Sequence, residues 1–103
     1  MAKEQTIQRS ITKYLEKQGA WVTKVITANK SGVPDVLACL PIEITADMVG
    51  QRLGVFVGCE VKMPKGVVSP VQEYNIKKIR DAGGIAFVAR SVEDVIEHFG
   101  KSL

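Results

Sequence analysis

The spacing of hydrophobic positions changes along the chain, and each change predicts an element. Apolar residues keep helical spacing from Gln5 to Gln18, and Gly19 follows at a position suited to a left-handed helix end. The β-rich segment WVTKVI at 21–26 predicts a strand, and the nearly all-apolar DVLACL at 35–40 predicts a second strand covered on both faces. The first part of the chain therefore predicts a helix followed by two strands.

The rest of the chain alternates strands with helices. After a long irregular connection, GVFVGCEVK at 54–62 predicts a third strand. Ser69 and Pro70 predict the N-cap and first position of a helix that continues to about Ala82. The run IAFVA predicts a fourth strand, and VEDVIEHF predicts a last helix. The order α-β-β-β-α-β-α predicts an α/β fold, a mixed sheet flanked by helices.

The length of the chain limits the number of domains it can form. With 103 residues, a second core would leave both halves near the size at which folding needs metals or disulfides. We therefore predict a single domain over residues 1–103. No apolar segment approaches the ~20 residues that span a bilayer, and the first residues lack the apolar core of a signal peptide. A cytoplasmic location is expected.

Cysteine, histidine and net charge change this picture little. Cys39 and Cys59 lie within apolar runs, which predicts reduced core residues, with a cross-strand disulfide as the alternative. His98, the only histidine, is expected at the surface of the last helix. The formal net charge is +3, and basic residues concentrate on the first helix and in the stretch 62–80. This distribution fits either a phosphate-binding face or ordinary solvated helix charge.

An acid and a base share one face at the end of the third strand. Because strand side chains alternate between faces, Glu60 and Lys62 lie on the same face as Phe56 and Gly58. Gly58 is expected to leave space beside the carboxylate. An isolated Glu-x-Lys is most often an ion pair that faces solvent. Glu60 and Lys62 are therefore either an ordinary ion pair or part of a functional site. The opposite face carries Val55, Val57, Cys59 and Val61.

A second acid opens the neighbouring strand. Asp35 follows the turn-forming segment GVP, where an acid is either an ordinary turn residue or part of a site. If Asp35 and Glu60 meet at one end of the sheet, a hard cation such as Mg²⁺, which accepts one or two protein carboxylates, relieves their repulsion. Such an ion polarises a phosphate, and Lys62 beside it would orient a water or offset developing charge. The set suits phosphodiester hydrolysis.

Two helical residues are further candidates. Glu4 heads the apolar stripe of the first helix and is expected to point inward, although an acid in a first turn is also favoured by the helix macrodipole. Gln72 lies on the inner face of its helix, where it would face the strand ends, or else it completes a capping box with Ser69. The stripe consists of Ile7, Ile11, Tyr14 and Leu15.

Taken in chain order, these residues form a known motif set. GVPD at 32–35, EVK at 60–62 and Gln72 resemble the motifs of the restriction-endonuclease-like PD-(D/E)XK nucleases, and within them of the virus-type replication-repair nuclease (VRR-NUC) family. The resemblance extends from Glu4 to about Val88 and is to a stand-alone domain of the kind found in phages. The chain departs from the family pattern at PIEITADMVGQRL, where an insertion with an expected helical turn lengthens the gap between the two acids.

The resemblance implies an endodeoxyribonuclease that depends on Mg²⁺ or Mn²⁺ and hydrolyses phosphodiester bonds in branched or structured DNA. Lys62 would align the attacking water, and Gln72 would steady the site or touch the scissile phosphate. The implied metal ligands are oxygens of Asp35, Glu60, Val61 through its carbonyl, and Glu4 directly or through water.

Small stand-alone members of the family recurrently resolve four-way (Holliday) junctions. Cutting two symmetric strands needs two active sites, so this activity implies a homodimer, for which the insertion 41–53 and the last helix are candidate interfaces. A flap or nicking nuclease is the alternative for a monomer. The expected DNA contacts are Lys30, Lys65, Lys13 and Lys77.

A non-catalytic nucleic-acid-binding module of the same fold is the rival from another class. The three acids argue against it, because acids weaken phosphate binding unless a cation lies between. Trp21 and Tyr74 are expected to pack rather than to stack on bases. A third reading is an interaction module in which Glu60 and Lys62 form only an ion pair.

Overall fold

The computed structural model describes residues 4–102, with side chains through residue 99. Its element order is the predicted one, and the α/β fold class is confirmed. Gly19 has a φ of +90°, which agrees with its expected place just after the first helix. The elements are α1 (Glu4–Lys17), β1 (Trp21–Lys24), β2 (Val36–Cys39), a 3₁₀ turn (Ala46–Met48), β3 (Val57–Val61), α2 (Pro70–Asp81), β4 (Ile85–Ala89) and α3 (Val92–Ser102).

The strands pair in two ways. β1 and β2 are antiparallel, with Trp21 opposite Cys39, while β3 and β4 are parallel, with Val57 opposite Ile85. The parallel pair requires a crossover, which α2 supplies. Within residues 4–102, ladder hydrogen bonds join the strands as two two-stranded sheets rather than one continuous sheet.

A small core joins the two strand pairs. The Cys39 sulfur, at the end of β2, lies 3.8 Å from the Ala82 carbonyl oxygen at the end of α2. The rings of Trp21 and Phe56 meet with their centroids 5.6 Å apart, which confirms Trp21 as a packing residue. The buried cluster is Cys39, Ile79, Ala82 and Ala86, with Trp21, Phe56 and Ile76 packed against it.

Gly84 allows this close packing. A Cβ atom at Gly84 would lie 2.8 Å from both the Cys39 sulfur and Ile79 Cγ2. Only a residue without a side chain lets β4 begin so close to the end of β2 and to α2.

Three expectations about the helices are wrong. His98 is partly buried, because its ring stacks on Phe87 with centroids 4.4 Å apart. Tyr74 is 58% exposed, and its ring lies under the Lys78 ammonium rather than in the core. The apolar stripe of α1, which was expected to face inward, is largely exposed to solvent, and Ile7 for example is 50% exposed. The face of α1 that packs towards the strands carries Gln8, Thr12 and Leu15 instead. A two-stranded sheet is narrow and covers one row of helix side chains.

Two expectations about the strands are wrong as well. Cys59 is exposed and not a core residue, because it lies on the face of β3 opposite to the one that α2 covers. β2 is not covered on both faces, since Leu37 is 36% exposed. Cys39 is buried as expected, and both cysteines are free.

The chain exposes a large surface for its mass. The accessible area is 8370 Å², compared with about 5,700 Å² expected for a compact monomer of this mass. The radius of gyration is 16.0 Å, compared with about 13 Å for a compact domain of similar length. No helix in residues 4–102 has the length and apolar character needed to cross a membrane.

Candidate active site

Glu60 lies at the centre of a group of polar side chains at the tip of β3. Gln72 Nε2 donates a hydrogen bond to Glu60 Oε1 across 2.7 Å. The Lys62 ammonium lies 3.8 Å from the same oxygen, a separation typical of an ion pair but too long for a strong hydrogen bond. The side chains of Glu60 and Lys62 are 33% and 22% exposed, so both are partly shielded from water. The expected shared face of β3 is confirmed.

Gln72 has both of the roles that its sequence position suggests. Its Oε1 accepts a hydrogen bond from the Ser69 backbone N–H across 2.9 Å, and the Ser69 hydroxyl accepts one from the Gln72 N–H across 3.2 Å. These bonds form the predicted capping box at the start of α2. The two roles coexist because the oxygen and nitrogen of one amide serve different partners. The helix cap thus orients the side chain that holds Glu60.

Gly58 brings α2 close to β3. A Cβ atom at this position would lie 3.0 Å from Ile79 Cδ1. The prediction that Gly58 leaves space beside the carboxylate is therefore wrong, because Ile79 occupies that space. The close approach of helix and strand is what places Gln72 within reach of Glu60.

Asp35 lies one residue before β2. Its carbonyl oxygen accepts a hydrogen bond from the Val25 N–H across 2.9 Å, which continues the pairing of β1 with β2. Its carboxylate is exposed and accepts a hydrogen bond from Gln8 Nε2 across 3.3 Å. Gln8 was not among the predicted site residues, because its partner lies 27 positions away and the apolar pattern assigned a different face of α1 to the strands. The other amide atom, Gln8 Oε1, is buried with no partner among the described residues.

The predicted ligands lie on different elements. Asp35 belongs to the β1–β2 pair and Glu60 belongs to the β3–β4 pair. The expectation that Glu4 points inward is wrong, because Glu4 is exposed in the first turn of α1, where the helix macrodipole favours an acid. Within residues 4–102, no three aspartate, glutamate, histidine or cysteine side chains are grouped closely enough to hold one ion. The structure therefore brings Glu60, Lys62 and Gln72 together, while coordination by Asp35, Glu4 and the Val61 carbonyl stays a prediction.

Glu60 and Asp35 each keep one carboxylate oxygen without a hydrogen-bond donor among the described residues. Both side-chain contacts of Glu60 with the described residues engage Oε1, so Oε2 accepts no hydrogen bond from them. The one side-chain contact of Asp35 in that part of the chain engages Oδ2. Each acid thus keeps an oxygen for a ligand, and Mg²⁺ takes one or two carboxylates with water and substrate phosphates as its other ligands.

The loop after β3 is held by a residue that the sequence did not point to. Arg90, just after β4, donates to the Gly66 carbonyl oxygen across 2.7 Å and to the Pro64 carbonyl oxygen across 3.4 Å. This clamp holds the segment that carries Lys65. Arg90 lies 24 and 26 positions from the two residues it contacts. No local sequence pattern therefore signals the clamp.

The four predicted DNA-contacting lysines differ in their surroundings. Lys13 and Lys30 are exposed, on α1 and in the loop before β2, and Lys65 is exposed in the loop after β3. Lys77 forms an ion pair of 2.9 Å with Asp81, and this hydrogen bond lowers the pKa of Asp81 and raises that of Lys77. The charge of Lys77 is thus partly compensated within α2.

An α/β domain that gathers a glutamate, a lysine and a glutamine at one strand tip, with a second acid at the start of another strand, is consistent with a nuclease. Comparison with known families agrees: the VRR-NUC domain family matches residues 2–93, and the chain belongs to that family. It therefore has a nuclease-type fold from a family of DNA-cleaving enzymes that typically depend on divalent metal ions. Searches among curated proteins and among solved structures found no significant match.

Proposed function

We propose that this protein is a single-domain, Mg²⁺- or Mn²⁺-dependent endodeoxyribonuclease that cuts branched DNA in the cytoplasm. Its preferred substrate is a four-way junction, which it resolves as a homodimer. The observation that carries this proposal is the convergence of Gln72 and Lys62 on Glu60 at the tip of β3. In a VRR-NUC chain, this is the arrangement expected of a metal-binding carboxylate with its adjacent lysine.

The residues divide the work by their contacts. Gln72 fixes one oxygen of Glu60, which leaves the other oxygen for a cation that Asp35, the Val61 carbonyl and Glu4 would also help to hold. A bound Mg²⁺ or Mn²⁺ supplies the charge that polarises the scissile phosphate and activates water. Lys62 is close enough to Glu60 to orient that water or to offset negative charge in the transition state.

The exposed apolar surface supports a homodimer. The outer face of β3 leaves Val57 and Val61 41% and 75% exposed. The two predicted interfaces are also apolar and open: Ile44 in the insertion is 81% exposed, and Ile96 on α3 is 65% exposed. The accessible area of one chain exceeds that of a compact monomer by an amount on the order of the roughly 1,000–2,500 Å² that each subunit of an obligate homodimer buries.

The test is a cleavage assay on labelled four-way junction, flap, nicked and linear duplex DNA. Wild type and Glu60→Ala are compared in Mg²⁺, Mn²⁺ and EDTA, with light scattering to measure the oligomeric state with and without DNA. We expect metal-dependent junction cutting by a dimer and no cutting by Glu60→Ala.

Two other results would replace this proposal. Metal-dependent cutting by a protein that stays monomeric on DNA would indicate a flap or nicking nuclease. DNA binding by folded wild type without cleavage of any substrate would indicate a non-catalytic nucleic-acid-binding module, in which Glu60 and Lys62 form an ordinary ion pair.

A further inference from the structure

A polar cleft lies beside Asp35, between α1 and one end of the β1–β2 sheet. Its volume is about 390 Å³. Lys24 and Val36, which form the last rung of the β1–β2 ladder, line one wall. Asp35 precedes Val36 directly, so the cleft adjoins the predicted metal ligand. The lining residues are Gln5, Gln8, Arg9, Thr12, Lys24 and Val36.

The cleft is positively charged. Arg9 and Lys24 line it, and no acid does. Neither cation takes part in an ion pair within residues 4–102, whereas Lys77 is paired with Asp81. Uncompensated cations in a concave surface attract phosphate groups. Gln5 and Thr12 add side chains of the kind that bond to phosphate oxygens.

Gln8 connects the cleft to Asp35. It lines the cleft, donates to Asp35 Oδ2 through Nε2, and has a buried Oε1 without a partner in the described chain. A buried acceptor without a hydrogen bond is costly. Gln8 thus ties the wall of the cleft to Asp35 through one of its two amide atoms, while the other amide atom is closed off from solvent.

We propose that this cleft binds a backbone phosphate of the DNA strand that the enzyme cuts, next to the scissile phosphate. Arg9 and Lys24 supply the charge, and Gln8 links the subsite to Asp35. The inference rests on the proposed function for the identity of the ligand, a phosphodiester of DNA. The cleft is a further DNA-binding site, in addition to the contacts predicted from sequence at Lys13, Lys30, Lys65 and Lys77.

The test compares two double variants with the same change in charge. Arg9→Ala/Lys24→Ala removes both cations of the cleft, and Lys17→Ala/Lys78→Ala removes two lysines from exposed positions outside it. Binding to a labelled four-way junction is measured by fluorescence anisotropy in EDTA over a series of NaCl concentrations. Circular dichroism checks that each variant is folded.

We expect the cleft variant to bind the junction at least about tenfold more weakly than the control variant. Its affinity should also depend less on salt: the slope of log K against the logarithm of the NaCl concentration should be smaller by roughly 0.9, which corresponds to the loss of about one phosphate contact. Equal affinities and slopes in the two variants would overturn the subsite, and so would failure of the wild type to bind DNA. Because EDTA prevents metal-dependent cleavage, binding is measured independently of activity. Wild type that binds through the cleft but never cuts would overturn the proposed nuclease and leave the subsite standing.

Discussion

Gln72 Nε2 lies 2.7 Å from Glu60 Oε1, so a residue of the α2 capping box directly holds the carboxylate at the tip of β3. Ser69, at the N-cap, holds the oxygen of the same amide at 2.9 Å. The orientation of Glu60 therefore depends on the start of α2 as well as on β3. Mutations at the cap and at the carboxylate should separate stability from catalysis.

Gln72→Ala should lose both functions of this amide, whereas Ser69→Ala should lose mainly the cap. We expect each variant to lower the free energy of unfolding by about 1 kcal/mol, because each removes a capping hydrogen bond. Only Gln72→Ala should also lower kcat strongly, since Glu60 loses its anchor. Urea unfolding and single-turnover cleavage measure the two effects. Similar kcat values for the two variants would show that Gln72 acts only as a cap.

The predicted metal ligands and the predicted DNA contacts should behave in opposite ways. We expect Asp35→Ala and Glu60→Ala to abolish cleavage while keeping or improving DNA affinity, because each removes negative charge near the phosphate. Lys30→Ala and Lys65→Ala should weaken binding without abolishing chemistry. Affinity in EDTA and cleavage at saturating DNA measure the two properties. Wild-type cutting by Glu60→Ala would mean that the metal site lies elsewhere.

The two cysteines should differ in reactivity. Burial raises the pKa of the Cys39 thiol, an effect that exceeds the opposing hydrogen bond from the Gly84 backbone, so its thiolate is scarce at neutral pH. Cys59 is exposed on the outer face of β3. Iodoacetamide treatment of the folded protein should modify Cys59 well before Cys39. The modification rate of Cys39 should rise with pH only at higher pH than for an ordinary thiol, because its pKa is raised.

Mass spectrometry of the digested protein identifies the modified cysteine, and Cys59→Ser is the control that leaves only Cys39. Rapid modification of Cys39 in that control would contradict its burial. Slower modification of Cys59 at high protein concentration would place the outer face of β3 in the dimer interface.

Gly84→Ala should destabilise the fold. Its Cβ would overlap the Cys39 sulfur and Ile79 Cγ2 at 2.8 Å, and overpacking of a core typically costs about 1–3 kcal/mol. Gly54→Ala is the matched control, because a Cβ there has no neighbour within 4 Å and should change stability by less than about 0.5 kcal/mol. Urea unfolding compares the two, and equal midpoints would show that the junction of β2, α2 and β4 relaxes freely.

The order and type of the elements were predictable because they depend on local patterns. The run IAFVA forms β4 over the predicted residues, and Ser69 caps α2 as its position indicates. Burial was less predictable. Cys59 lies in an apolar run yet is exposed, and Ile7 belongs to a regular helical stripe yet is half-exposed. A periodic pattern identifies a face, but it does not show what packs against that face.

The candidate site was predictable in part. Glu60 and Lys62 share the predicted face, and Gln72 is in contact with Glu60. Gln8 and Arg90 were missed because their partners are distant in the chain: Gln8 donates to Asp35 27 residues away, and Arg90 clamps a loop more than 20 residues earlier. Such contacts leave no periodic signal.

The sequence by itself determined the α-β-β-β-α-β-α order, the family, and the residues of the acid, lysine and glutamine motifs, because each depends on residue type and short spacing. Only the tertiary structure decided that one amide serves both the α2 cap and Glu60, that Gln8 contacts Asp35, and that the outer face of β3 is open. These features arise where α1 and α2 cross the strands. The crossing depends on side-chain volume at positions such as Gly58 and Gly84, where a single Cβ would push the elements apart.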